Sequence, residues 1–266
     1  MKSLNRLEES TKQFAGKKKI FCAFLTLGYP DLSTTKKLIL EFEAMGVDII
    51  ELGFPFSDPM ADGPTIQYSS ECALKKGVRL KNAFDLVSQL RREGCTIPIV
   101  FFTYINPVFS LGLKNFAHKA KQAGFDGVVI PDLPPEEETD FSKECRKINL
   151  AQVFLIAPTT ESVRAAKISK ASHGFIYYVS LRGVTGARKA VASDVAKNLK
   201  TLKQMTSKPV LIGFGVSSPE QACELSAISQ GVIVGSAIVE SIRKSGGKIK
   251  PVLDFVKSLV LAVKGS

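Results

Sequence analysis

The chain has 266 residues, 45% of them hydrophobic and 23% charged, an ordinary balance for a globule that can bury a full core. Its net charge of +11 points to anionic partners, but the lysines are scattered over helix faces. The one tight run, Lys17-Lys18-Lys19, has no interleaved aromatics, which argues against a nucleic-acid groove. Five dispersed cysteines without a C-x-x-C, and two histidines far apart, argue against a disulfide framework and a protein-built metal site, and fit reduced thiols in the cytoplasm.

The first stretch, Met1 to Phe14, is polar and amphipathic with Leu4, Leu7 and Phe14 as apolar positions. It is neither a signal peptide nor a membrane span and reads as an extra N-terminal helix. From Ile20 onward, short apolar runs alternate with amphipathic ones eight times. The strand-like runs are Ile20 to Leu25, Val47 to Leu52, Ile97 to Phe102, Gly127 to Ile130, Ala151 to Ile156, Phe175 to Val179, Pro209 to Gly213 and Gly231 to Val234. Between them, residues such as Leu38, Phe42 and Met45, or Phe84, Val87 and Leu90, repeat at helical spacing, and a last helix carries Val252, Phe255, Val256 and Leu259.

Strands that are apolar throughout, each followed by a helix, form parallel sheets covered by helices. Eight such units in a chain of this length predict one (β/α)8 TIM barrel over residues 1–266. An open doubly wound sheet is the alternative, but no G-x-G-x-x-G turn follows the first strand.

A barrel puts its chemistry on the loops after the strands. The first offers Phe24, Thr26, Gly28 and Tyr29-Pro30. The second ends on Glu51 and runs into Phe54-Pro55-Phe56-Ser57-Asp58-Pro59-Met60-Ala61-Asp62-Gly63-Pro64, whose prolines stop both strand and helix until a helix restarts near Thr65. A carboxylate at the mouth of an apolar strand is costly unless partnered and tends to keep its proton, which is how a general acid or base is made near neutral pH. Glu51 and Asp62 lie on different elements and can face one site. The third strand offers Phe102, Tyr104 and Asn106-Pro107. The fourth leads to Asp132, a partner for the second loop or a turn residue. Tyr177 lies in the sixth strand, before the loop Ser180 to Ala187. After the last strands stand Gly213-Phe214-Gly215 and Gly235-Ser236, the latter directly before a helix. With Gly186, these glycines bring backbone N–H groups of one rim to an anion, and a helix N-terminus favours phosphate there.

The segment Glu51 to Gln67, with Gly183-Val184-Thr185-Gly186, Gly213-Phe214-Gly215 and Gly235-Ser236, resembles the tryptophan synthase alpha chain family, in register over nearly the whole chain. The resemblance implies a lyase that splits indole-3-glycerol phosphate into indole and glyceraldehyde 3-phosphate. It further implies an α2β2 assembly with a beta chain that carries pyridoxal phosphate, and no cofactor in this chain. Glu51 matches the acid/base and Asp62 the carboxylate that accepts the indole N–H. Phe24, Phe102, Leu155 and Phe214 match the walls of the indole pocket, Tyr177 a residue flanking the acid, and Thr185 the loop that closes over substrate. Gly186, Gly215, Gly235 and Ser236 match the phosphate cradle. Phe102 and Pro131 stand where smaller residues are common, which implies a tighter pocket, and Leu181-Arg182 replaces a more polar pair.

Two other functions compete: an alpha subunit without useful catalysis that mainly activates the beta chain, and another phosphate-binding barrel such as an isomerase. The second explains the glycines and leaves Asp62 without a task.

Overall fold

The computed structural model describes residues 5–13, 18–137, 139–179, 188–213 and 215–265. Its strands are β1 (Ile20–Thr26), β2 (Ile49–Gly53), β3 (Ile99–Phe102), β4 (Gly127–Val129), β5 (Ala151–Val153), β6 (Leu155–Ile156), β7 (Ile176–Val179), β8 (Val210–Gly213) and β9 (Gly231–Val234). Every neighbouring pair is parallel, in the order β5-β4-β3-β2-β1-β9-β8-β7-β6. Apart from Thr26, Glu51 and Gln152, which are themselves buried, their residues are apolar, aromatic or glycine, and all but Leu155 and Val179 are buried, as parallel strands covered on both sides must be.

The sequence pattern predicts one strand over Ala151 to Ile156; the structure interrupts it at Phe154. There the N–H goes to the Ser172 hydroxyl at 3.0 Å and the carbonyl accepts from Tyr177 N at 3.2 Å. The chain thus pairs with β4 on one side of Phe154 and with β7 on the other, closing the barrel. Strand starts also shift inward. β2 begins at Ile49 because the Asp48 carboxylate takes the Phe21 N–H at 2.8 Å and the Lys264 ammonium at 2.9 Å.

The helices are α1 (Arg6–Gln13), α2 (Leu32–Ala44), α3 (Pro64–Lys75), α4 (Leu80–Arg92), α5 (Ile105–Leu111), α6 (Leu113–Ala123), α7 (Thr139–Lys147), α8 (Ser162–Ala171), α9 (Arg188–Met205), α10 (Pro219–Ile228), α11 (Ser236–Lys244) and α12 (Ile249–Lys264). With β5 and β6 counted as one stave, four of the helices among the described residues go beyond one per stave: α1, α3, α5 and α11. In α5 the Asn106-Pro107 pair expected in a loop is helical instead, with Pro107 in the first turn, where a missing N–H leaves no bond unmade. The extra helix α1 closes the N-terminal end of the barrel. Leu7, fully buried, lies so close to Gly127 and Gly174 that a Cβ at either would stand 3.1 or 2.9 Å from it. Asn5 donates to the Asp126 carbonyl at 3.0 Å, while the buried Asp126 carboxylate pairs with Arg6 at 3.0 Å and Arg91 of α4 at 2.8 Å.

The core has two parts. The larger fills the barrel and the helix layer around β1–β4 and β9. A smaller cluster, including Phe154, Ile168, Tyr178, Leu199 and Ile212, sits between β6–β8 and helices α8 and α9. Among the described residues no helix is long and apolar enough to cross a membrane, and all five cysteines are free thiols.

Candidate active site

Glu51 is the third residue of β2, in register with Phe24 of β1 and Val100 of β3, so it points into the barrel among apolar neighbours. It is 1% exposed, and its Oε1 has no hydrogen-bond partner among the described residues. Removal from water, reinforced by the nearby Asp62 charge, pushes its carboxyl from 4.5 up to about 8. At neutral pH it holds its proton.

Asp62 belongs to the loop between β2 and α3 and is half-buried. Its N–H bonds to the Pro59 carbonyl at 3.1 Å, and Pro64 then opens α3 at the first helical position, where proline is tolerated. Burial raises its carboxyl from 3.8 to about 6, while a hydrogen bond from the Tyr104 hydroxyl pulls the other way. At neutral pH it is mainly ionised. Two acids in one cavity therefore hold different protonation states, a pattern that separates an acid from an electrostatic partner.

Both line one cavity of about 180 Å³ with Phe24, Phe102, Tyr177, Gly215, Gly235 and Ser236. The rings fit because their neighbours lack side chains: a Cβ on Gly53 would meet the Phe24 ring at 2.4 Å, and one on Gly213 the Tyr177 ring at 2.3 Å. Phe24 and Phe102 meet edge to face with centroids 5.7 Å apart, an apolar aromatic wall of the cavity suited to an aromatic ligand.

At the rim, Gly215 adopts φ +84°, which a side chain would strain. Gly235 precedes α11, whose first-turn N–H groups, from Ser236 on, have no acceptor within the helix, and whose first turn carries no acid. That end of the cavity suits a phosphate. Among the described residues no group of three or more His, Cys, Asp or Glu is arranged to hold a metal.

Thus Glu51, Asp62, Phe24, Phe102, Tyr177, Gly215, Gly235 and Ser236 come together. Leu155 does not line the cavity; it is half-buried in β6, beside Tyr177 in register. Pro131 is likewise absent from the lining, so the tightening expected there falls to Phe102 alone. Thr185, Gly186 and Phe214, with Leu181 and Arg182, lie outside the described residues. Asp132 is not tied to the second loop; its carboxylate accepts the Ile105 N–H at 3.0 Å, fixing the start of α5. The sequence reading missed Gly63, Ile66, Val216, Ser217, Ile233 and Ala237 as lining residues. Only Gly63, Val216, Ser217 and Ala237 carried a signal, as chain neighbours of residues already singled out.

Comparison with known proteins adds the family. The family model described as tryptophan synthase alpha chain matches residues 11–263. A tryptophan synthase alpha chain from a Geobacter species is 46% identical over 251 residues, covering 93% of this chain and 94% of that protein. One from a Thermoanaerobacter species is 43% identical over 262 residues, covering 98% and 99%. The crystal structure of tryptophan synthase subunit alpha from Legionella pneumophila superposes with a TM-score of 0.91 at 30% identity, covering 99% of this chain and 100% of that one.

Proposed function

Because the chain belongs to the tryptophan synthase alpha chain family, we propose that Glu51 and Asp62 carry out in it the retro-aldol cleavage of indole-3-glycerol phosphate to indole and glyceraldehyde 3-phosphate. The chain is a carbon–carbon lyase of tryptophan biosynthesis and the alpha subunit of an assembly with the beta chain, an α2β2 heterotetramer in this family. Pyridoxal phosphate belongs to the beta chain; the alpha chain's own chemistry is proton transfer. We take residues 1–266 as one barrel domain working in the cytoplasm, in keeping with its free thiols.

One observation carries the assignment of roles. Glu51, raised to about 8, and Asp62, raised only to about 6, line the same cavity. Protonated Glu51 delivers its proton to indole C3, which makes the ring an electron sink with positive charge at its nitrogen. Ionised Asp62 accepts the indole N–H and stabilises that charge. The Glu51 carboxylate then takes the proton of the hydroxyl on the carbon bonded to C3. The carbon–carbon bond breaks, its electrons return to the ring, an aldehyde forms, and Glu51 regains its proton. Phe24 and Phe102 hold the ring with Tyr177 beside them, and Gly215, Gly235 and Ser236 hold the phosphate; Phe214, Thr185 and Gly186 take the pocket, loop and phosphate roles that the family resemblance assigns them. An activator of the beta chain without chemistry of its own would have no use for a buried acid with an oxygen that finds no hydrogen-bond partner among the described residues.

The test is Glu51→Gln, which keeps shape but cannot shuttle a proton. Indole release should fall by about 10²–10⁴-fold, with and without the beta chain, while binding of a substrate analogue persists. Undiminished turnover would overturn the assignment.

A further inference from the structure

The catalytic loop between β2 and α3 carries Asp62 with little support of its own. Its internal backbone bonds are short-range, Met60 N to the Asp58 carbonyl at 3.0 Å and Asp62 N to the Pro59 carbonyl at 3.1 Å. The Phe54 N–H bonds to the Phe102 carbonyl at 2.8 Å where the loop leaves β2, and the Gln67 amide of α3 holds the Asp62 carbonyl at 2.8 Å; between these two points the side chain that ties the loop to the barrel is a phenol. Tyr104, at the start of α5 and 2% exposed, accepts the Ala61 N–H at 3.0 Å and stands beside the Asp62 carboxylate, whose charged form its hydroxyl favours. Its ring stacks on Phe56 of the same loop, with centroids 5.4 Å apart and planes at 28°, and stands edge-on to Phe102. The next residue along is clamped too, since Asp132 holds the Ile105 N–H from the loop after β4. One side chain therefore grips the catalytic loop at Phe56 and again at Ala61–Asp62, and is itself fixed to the rigid rim of β3 and β4.

We propose that Tyr104 is a positioning residue for the cleavage: by holding the Ala61 N–H and stacking on Phe56, its side chain keeps the adjoining Asp62 carboxylate in place as the anionic acceptor for the indole N–H. The inference deepens the role assigned to Asp62 and rests on it. A hydrogen bond donated to a carboxylate favours its charged form, so Tyr104 opposes the burial that would otherwise keep Asp62 protonated. Among the described residues the titratable groups facing Asp62 are Tyr104 from the β3 loop, with Glu51 from β2 and Tyr177 from β7 acting through their proximity. Asp132 adds its charge on the far side of Tyr104. Glu51 is neutral when Asp62 must be charged, and among the described residues the Tyr104 hydroxyl is the group that pulls the Asp62 carboxyl toward its charged form.

Tyr104→Phe keeps the stacked ring and the fold while deleting the hydroxyl. The acid limb of the kcat/KM profile, set by Asp62, should move up by about one pH unit, and kcat at pH 7 should fall roughly 10-fold. KM should change less than about 2-fold, because the aromatic walls and phosphate rim are untouched. An acid limb superimposable on that of the unaltered chain, or a loss confined to KM, would overturn the proposal. Asp62→Asn separates the two levels of inference. If it stays fully active, the role of Asp62 falls; if it is inactive while Tyr104→Phe leaves the acid limb in place, only the role of Tyr104 falls.

Discussion

At the scale of single residues, Glu51 trades stability for reactivity. Its carboxyl lies near 8 in the folded chain against 4.5 ordinarily, so folding favours the protonated form. The stability tied to that proton is complete below about pH 4.5 and is lost as pH rises through 8, because the unfolded chain releases the proton earlier. Glu51→Gln removes the titration without changing shape. Relative to the unaltered chain, the variant should be within about 1 kcal/mol at pH 5 and more stable by roughly 2–5 kcal/mol at pH 8.5. Thermal melts at the two pH values check this, and a pH-independent Tm difference would contradict it. The two acids were legible because each sits where chain grammar is unusual: one ends an apolar strand, the other lies in a proline-rich loop. Tyr104 was visible only as something the third loop offers, since its partner Ala61 is 43 residues away and the bond arises from folding. Ile66 and Ile233 carry no mark at all, because an apolar residue that walls a cavity obeys the same periodicity as one that fills a core.

Among the elements, α1 and the segment entering β4 form the other anchor of the molecule. Asp126 is 1% exposed and binds Arg6, Arg91 and the Ile99 N–H together. Asp126→Ala would leave the largely buried Arg91 without its counter-charge, and removing one partner of a buried pair costs about 3–5 kcal/mol. Urea unfolding should register that loss, while kcat/KM at low temperature stays within about 2-fold, since Asp126 precedes β4 at the end away from the catalytic loops. The alternation of strands and helices was legible because fully buried strands and amphipathic helices differ in period. The interruption at Phe154 was not, as it depends on a hydroxyl 18 residues later. Nor was α5, whose asparagine and proline look like a turn until the Asp132 carboxylate fixes the helix start.

Taken whole, the molecule keeps its chemistry and its bracing at opposite ends of one cylinder, so substitutions at either end should act nearly independently. Among the described residues that cylinder is not continuous between β5 and β6, two short staves meeting at Phe154, whose N–H is taken by the Ser172 hydroxyl. Behind them lies the smaller of the two apolar clusters. A wall hinged there should unroll before it melts. In native-state hydrogen exchange, the amides of β6 and β7 should become labile at a lower free energy than those of β1 to β3, and equal protection on both sides would deny the hinge. Because Tyr177 lies on the looser side and Glu51 on the firmer, such breathing would part the floor of the cavity along its own midline.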